Sequence, residues 1–118
     1  MKVRIEKVKV HAVYDDSYGK DHLKRMESYA DRNVCFVGIY AVAEVTYPCG
    51  QGSRRLETLQ SSGLWGIESD SGADYIAEIV SEELADLEEH LKNFGIEVTD
   101  WTKIPKEGAG NSKYILNL

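Results

Sequence analysis

The stretch Val34-Cys35-Phe36-Val37-Gly38-Ile39-Tyr40-Ala41-Val42-Ala43-Glu44-Val45-Thr46-Tyr47 decides the fold. Every odd position from Cys35 to Tyr47 is apolar, and Val34, Phe36, Tyr40 and Val42 make the even positions apolar too, until Glu44 and Thr46. This predicts a strand buried on both faces in its first part and on one face in its last. At about 3.4 Å per residue the stretch would span roughly 47 Å. A compact domain of this length is only about 35 Å across. The strand therefore either bends at Gly38 or carries its hairpin out from the body.

Upstream, residues 2–14 read as a strand with a fault. Val3 and Ile5 alternate on odd positions, and after Glu6-Lys7 the apolar set moves to Val8, Val10, Ala12 and Tyr14. A one-residue slip turns every side chain to the opposite face, so a β-bulge near Glu6-Lys7 is expected to return them to the core. Two short strands joined by a kink are the alternative. Residues 15–21 carry turn chemistry, and Leu23, Met26 and Ala30 recur at helical spacing, which predicts a short helix over 21–31.

Downstream, Pro48 to Ser53 is a turn into a second strand, residues 54–61, and Leu64 to Ile67 is a third apolar piece. Asp70-Ser71 with Asp74 is a helix-start signal of the capping-box kind. A long helix is expected to follow to about Phe94, with Ile76, Val80, Leu84, Leu87, Leu91 and Phe94 on one face. Gly95 stands where a left-handed cap would end it. Ile96, Val98 and Trp101 suggest another strand. Glu107–Asn111 reads as a glycine-rich loop, and Tyr114-Ile115-Leu116 as a last strand. The expected class is α+β, a mainly antiparallel sheet with one long and one short helix on one face. Its core resembles the βαββαβ order of ferredoxin-like folds, with an extra C-terminal strand. The shortness of the first helix leaves a differently ordered sheet open.

The chain has 118 residues, enough for one domain, with 42% hydrophobic and 29% charged residues. No apolar run approaches the ~20 residues a bilayer span needs, and MKVRIEKVKV lacks the apolar core of a signal peptide. Cys35 and Cys49 form no zinc spacing and are expected as reduced thiols in a cytoplasm. Fourteen bases against twenty acids give a net charge of −6. Residues 66–100 hold eleven acids against Lys92 alone, a local net of −10 that leaves +4 elsewhere. Glu78, Glu82 and Asp86 are spaced four apart and Glu89 follows three later, which predicts a continuous acidic ridge on the helix. Like charges at that spacing do not stabilise a helix. The ridge is read either as a solvated face or as a docking surface for a basic protein. Phosphates would be repelled, which argues against direct nucleic-acid contact through this helix.

Other chemistry is sparse. Asp15, Asp16, Asp21 and His22 match no metal-loop spacing and are more simply turn residues. Gln51, Arg54 and Arg55 sit in or beside a glycine turn that lacks the lysine and following helix of a phosphate loop, so they are read as a hairpin turn with basic residues at its base or, on a long hairpin, as a second contact surface. No Ser/His/Asp or Cys/His set forms one local motif. Trp65 reads as a core plug. The stretch Ser62-Gly63-Leu64-Trp65-Gly66-Ile67-Glu68-Ser69-Asp70-Ser71 resembles segments of short phage and mobile-element proteins, the likeness covering roughly residues 56–94. That family has no agreed activity, so the resemblance brings no catalytic residue with it.

Taken together, the residues and the resemblance lead to a non-enzymatic cytoplasmic accessory factor of a phage or mobile element that binds a basic protein through the acidic helix face. Inhibition of a host nucleic-acid-binding defence protein is the most specific version of that expectation. No cofactor, metal or membrane is expected, and a homo-oligomer is left open. The alternative is a small enzyme or ligand binder with a pocket between sheet and helices near Trp65, Tyr40, Arg54 and Arg55.

Overall fold

The computed structural model describes residues 3–14, 36–68, 71–99 and 101–110. Among the described residues five strands form one sheet: β1 (Arg4–Tyr14), β2 (Phe36–Pro48), β3 (Arg54–Gln60), β4 (Leu64–Glu68) and β5 (Lys106–Gly110). The long helix α1 spans Ala73–Asn93, and a 3-10 turn covers Trp101–Lys103. The strand order is β3-β2-β1-β5, with β4 also paired to β2. All pairings are antiparallel except β1 with β5. The class is α+β, as expected. The order differs from a split βαβ, which would run the first two strands parallel with another strand between them. Here β1 and β2 are antiparallel neighbours. The short helix expected over 21–31 and the strand expected at 114–116 lie outside the described residues.

The long apolar stretch forms the central strand. Phe36, Val37, Gly38 and Ile39 are all buried, and burial then alternates, with Ala41, Ala43 and Val45 inward. The register of β1 on β2 shifts between Ile5 and Lys7, which places the bulge where the sequence put it. Beyond it Val8, Val10 and Ala12 are completely buried. Ile76, Ile79, Val80, Leu87 and Leu91 of α1 pack on this same face of the sheet.

Gly38 does not end or divide β2. A Cβ there would lie 2.1 Å from the Trp65 ring, so glycine is needed to let that ring rest on the strand. The length problem is met by the hairpin projecting. On the helix-facing side of β3, Leu59 is half-buried while Arg55 and Glu57 are exposed, so the helix cover stops near Leu59. The radius of gyration is 16.9 Å, against about 13–14 Å for a compact chain of this length.

Four local expectations are corrected. The helix starts at Ala73 after Gly72 with no side-chain cap. Instead of capping, the Ser71 hydroxyl donates back to the Glu68 carbonyl at 2.7 Å, and Asp70 lies outside the described residues. Phe94 is the C-terminal cap residue rather than part of the apolar face, and it is 70% exposed. Ile96, Val98, Trp101 and Ile104 cover the end of the core without forming a strand. Lys106–Gly110 is a strand, not a loop. Parallel pairing with β1 needs only backbone groups, so tertiary contact overrides the poor strand propensity of its glycines. The end of α1 is as expected: Ile96 N–H donates to Leu91 O and Gly95 N–H to Lys92 O, with Gly95 at φ +78°. Those two bonds make a Schellman cap, which satisfies carbonyls the helix leaves open.

Candidate functional site

Helix geometry sorts the acids of α1. At about 100° per residue, Glu78, Glu82 and Glu89 fall within about 40° of one another, Asp86 about 40° beyond Glu82, and Glu83 about 100° beyond it. Glu78, Glu82 and Glu89 are exposed, and none has an ion-pair or hydrogen-bond partner among the described residues. Tyr75, also exposed, lies one turn before Glu78 on the same side. This outer row runs about 16 Å from Glu78 to Glu89 at the helical rise.

Two other acids of the helix, Glu83 and Asp86, are engaged. Glu83 is only 9% exposed. Its Oε1 accepts from the Ser61 hydroxyl and from the Gly63 N–H, each at 2.7 Å. Ser61 in turn accepts the Ala41 N–H at 2.9 Å. That side-chain oxygen takes the place of a strand carbonyl and ends β3. Asp86 accepts the Ser62 N–H at 2.8 Å, and this bond holds its carboxyl below the usual aspartate range. His90 lies 3.6 Å from Asp86 through Nε2 and 3.3 Å from the Gln60 carbonyl through Nδ1. Glu83, Asp86 and His90 thus clamp the Gln60–Gly63 connection to the helix. Asp86 serves the clamp, whereas the other three ridge residues face solvent.

The second expected surface is the tip of the projecting hairpin. Gln51 is exposed there at φ +47° between Gly50 and Gly52. Arg54 is anchored on Thr46, donating from Nη2 to its carbonyl at 3.0 Å and to its hydroxyl at 3.2 Å. The Thr46 hydroxyl donates to Glu6 at 2.7 Å. Arg55 points to the other face and pairs with Glu57 at 3.5 Å. Tip and ridge therefore carry opposite charge on separate parts of the molecule.

The sheet face opposite α1 holds a feature the sequence did not disclose. His11 and Tyr40 are direct cross-strand partners, with rings parallel and centroids 4.9 Å apart. The Trp65 ring continues the row at 5.9 Å from Tyr40. Trp65 is 47% exposed and lies over Gly38, so it is not a plug in the core. Neither Trp65 nor Tyr40 faces a space between sheet and helix. Arg54 and Arg55 sit at the far end of β2, opposite Pro48 and Tyr47. Partial burial, then the charge of Lys9, holds His11 below its ordinary pKa. Lys7 and Lys9 of β1 are offset in place: Glu44 meets Lys9 at 3.3 Å and Lys7 at 4.0 Å, and Glu107 meets Lys7 at 3.5 Å.

Among the described residues no His, Cys, Asp and Glu side chains cluster as a metal site, and no helix is long and apolar enough to cross a membrane. Asp15, Asp16, Asp21, His22 and Cys35 lie outside the described residues. Cys49 is exposed at the hairpin turn. Comparison with family models, curated proteins and solved structures gives no match.

Proposed function

We propose that this chain is a non-enzymatic, cytoplasmic protein-binding factor that docks a basic protein along the outer row of α1. The observation that carries the reading is the strip Tyr75, Glu78, Glu82 and Glu89, exposed and without cationic partners among the described residues. Three carboxylates on a helix fixed at both its clamp and its cap offer a preset charge pattern. Complementary charge speeds and orients association, and an exposed tyrosine supplies apolar contact area. The same carboxylates repel phosphate, so the partner is a protein and not nucleic acid. We extend the proposal to a chain of phage or mobile-element kind, the expectation drawn from residues 62–71, whose basic partner is a nucleic-acid-binding defence protein of a host.

The test is affinity capture from the native host with the triple variant Glu78→Lys, Glu82→Lys, Glu89→Lys. Asp86 is left intact because it holds Ser62. Capture of a basic partner should be lost while circular dichroism and melting temperature stay close to the parent. Capture that survives the triple reversal overturns the reading. The exposed His11–Tyr40–Trp65 row favours a second reading, a planar small ligand stacked on Trp65. A ligand that raises the melting temperature and quenches Trp65 fluorescence would replace the first reading with this one.

A further inference from the structure

We infer that the open edge of β3 pairs antiparallel with β3 of a second copy, about a two-fold axis at Leu56. Among the described residues the strand lies at the end of the sheet order, and residues 54–58 are all exposed, Leu56 at 58%. Cys49 N–H donates to Ser53 O and Ser61 N–H to Ala41 O, so the odd residues of β3 aim their peptide groups at β2. By alternation, Arg54, Leu56 and Thr58 aim theirs at the open side. Unpaired strand edges of this kind are templates for another strand, and β3 carries no proline to block one.

Charge selects both the occupant and the register. With Leu56 opposite Leu56 of the second copy, Arg55 stands opposite Glu57 and Glu57 opposite Arg55. The outward peptide groups of Arg54, Leu56 and Thr58 then meet those of Thr58, Leu56 and Arg54. A register centred on Glu57 also matches the peptide groups, but it sets two glutamates directly opposite, which is destabilising. A register centred on Thr58 leaves Glu57 facing Leu59. The sequence Arg55-Leu56-Glu57 is thus self-complementary in a single antiparallel register. His90, on the Gln60 carbonyl, closes one end of the open edge, and the Gly50–Gly52 turn closes the other. The pairing is isologous and forms a closed dimer rather than a fibre. Because paired residues share a face, both copies of α1 stand on the same side of the joined sheet.

The test is sedimentation equilibrium over a concentration series of the full chain, with circular dichroism to check the fold. The parent should dimerise. Arg55→Glu places like charges opposite each other twice and should raise the dimer dissociation constant about tenfold or more. The double variant Arg55→Glu, Glu57→Arg restores self-complementarity and should return the constant to near the parent value. Leu56→Pro removes an outward N–H without breaking a bond to β2 and should leave a folded monomer. A parent that stays monomeric throughout the series overturns the inference, as does a dimer indifferent to Arg55→Glu or one the double swap fails to restore.

Discussion

Glu82 and Glu83 are neighbours in the chain and meet opposite circumstances. Glu82 stands in water with no partner among the described residues, while Glu83 is nearly buried and holds two donors of the β3–β4 connection. A turn of about 100° separates a carboxylate that contributes nothing to the fold from one that the fold depends on. The comparison extends along the helix. Glu78 and Glu89 share the situation of Glu82, and Asp86 with its bond to Ser62 belongs with Glu83. A buried acceptor that satisfies backbone and hydroxyl donors is worth more than any exposed charge, because its loss leaves those donors unpaired.

Substitution should separate the two rows. Glu83→Ala leaves the Ser61 hydroxyl and the Gly63 N–H without their acceptor, and urea unfolding should show a loss of about 2–4 kcal/mol. A loss below about 0.5 kcal/mol would erase the distinction between the rows. Glu83→Gln keeps an acceptor oxygen and should cost about 1 kcal/mol, which separates the hydrogen-bonding role from the charge.

Asp86→Ala should cost less than Glu83→Ala, and its cost should depend on pH. The folded-state pKa of Asp86 is depressed, chiefly by the Ser62 N–H. Its contribution is therefore present above the unfolded aspartate value, near about 4, and lost as pH falls through the folded value. Urea unfolding of parent and variant should differ at pH 7 and converge in acid. A difference that stays constant into acid would remove Asp86 from the inner row. The smallest effect belongs to the outer row: Glu78→Gln, Glu82→Gln, Glu89→Gln should leave stability unchanged or raise it by a few tenths of a kcal/mol. A marked loss there would show that the outer row has a structural partner after all.

Much of this was legible from spacing alone. The one-residue slip at Glu6-Lys7 specified a bulge because side-chain period in a strand is two and the core tolerates no exception. The excess length of β2 required a bend or a projection, and choosing between them needed the position of α1. Glu83 could have been found: it falls three after Val80 and four before Leu87, on the apolar stripe, where an isolated charge needs partners. Trp65 could not. Its flanking glycines suggested a buried plug, but only the pairing of β4 with β2 shows that Gly38 makes room for the ring on the far face. Lys106–Gly110 has no strand signal because β1 supplies its pairing.

The sequence by itself determined the α+β class, the bulge, the central strand, the amphipathic helix with its glycine cap, and the acidic imbalance of residues 66–100. All of these follow from local periodicity and counting, which a linear text carries. Tertiary structure alone decided the strand order, which carboxylates are engaged, and the meeting of His11, Tyr40 and Trp65 across three strands. Those outcomes depend on residues twenty or more apart, such as Ser61 with Glu83 and Gly63 with Glu83. Whether a charge binds a partner or a backbone amide is settled by what packs opposite it, and that is a property of the folded chain.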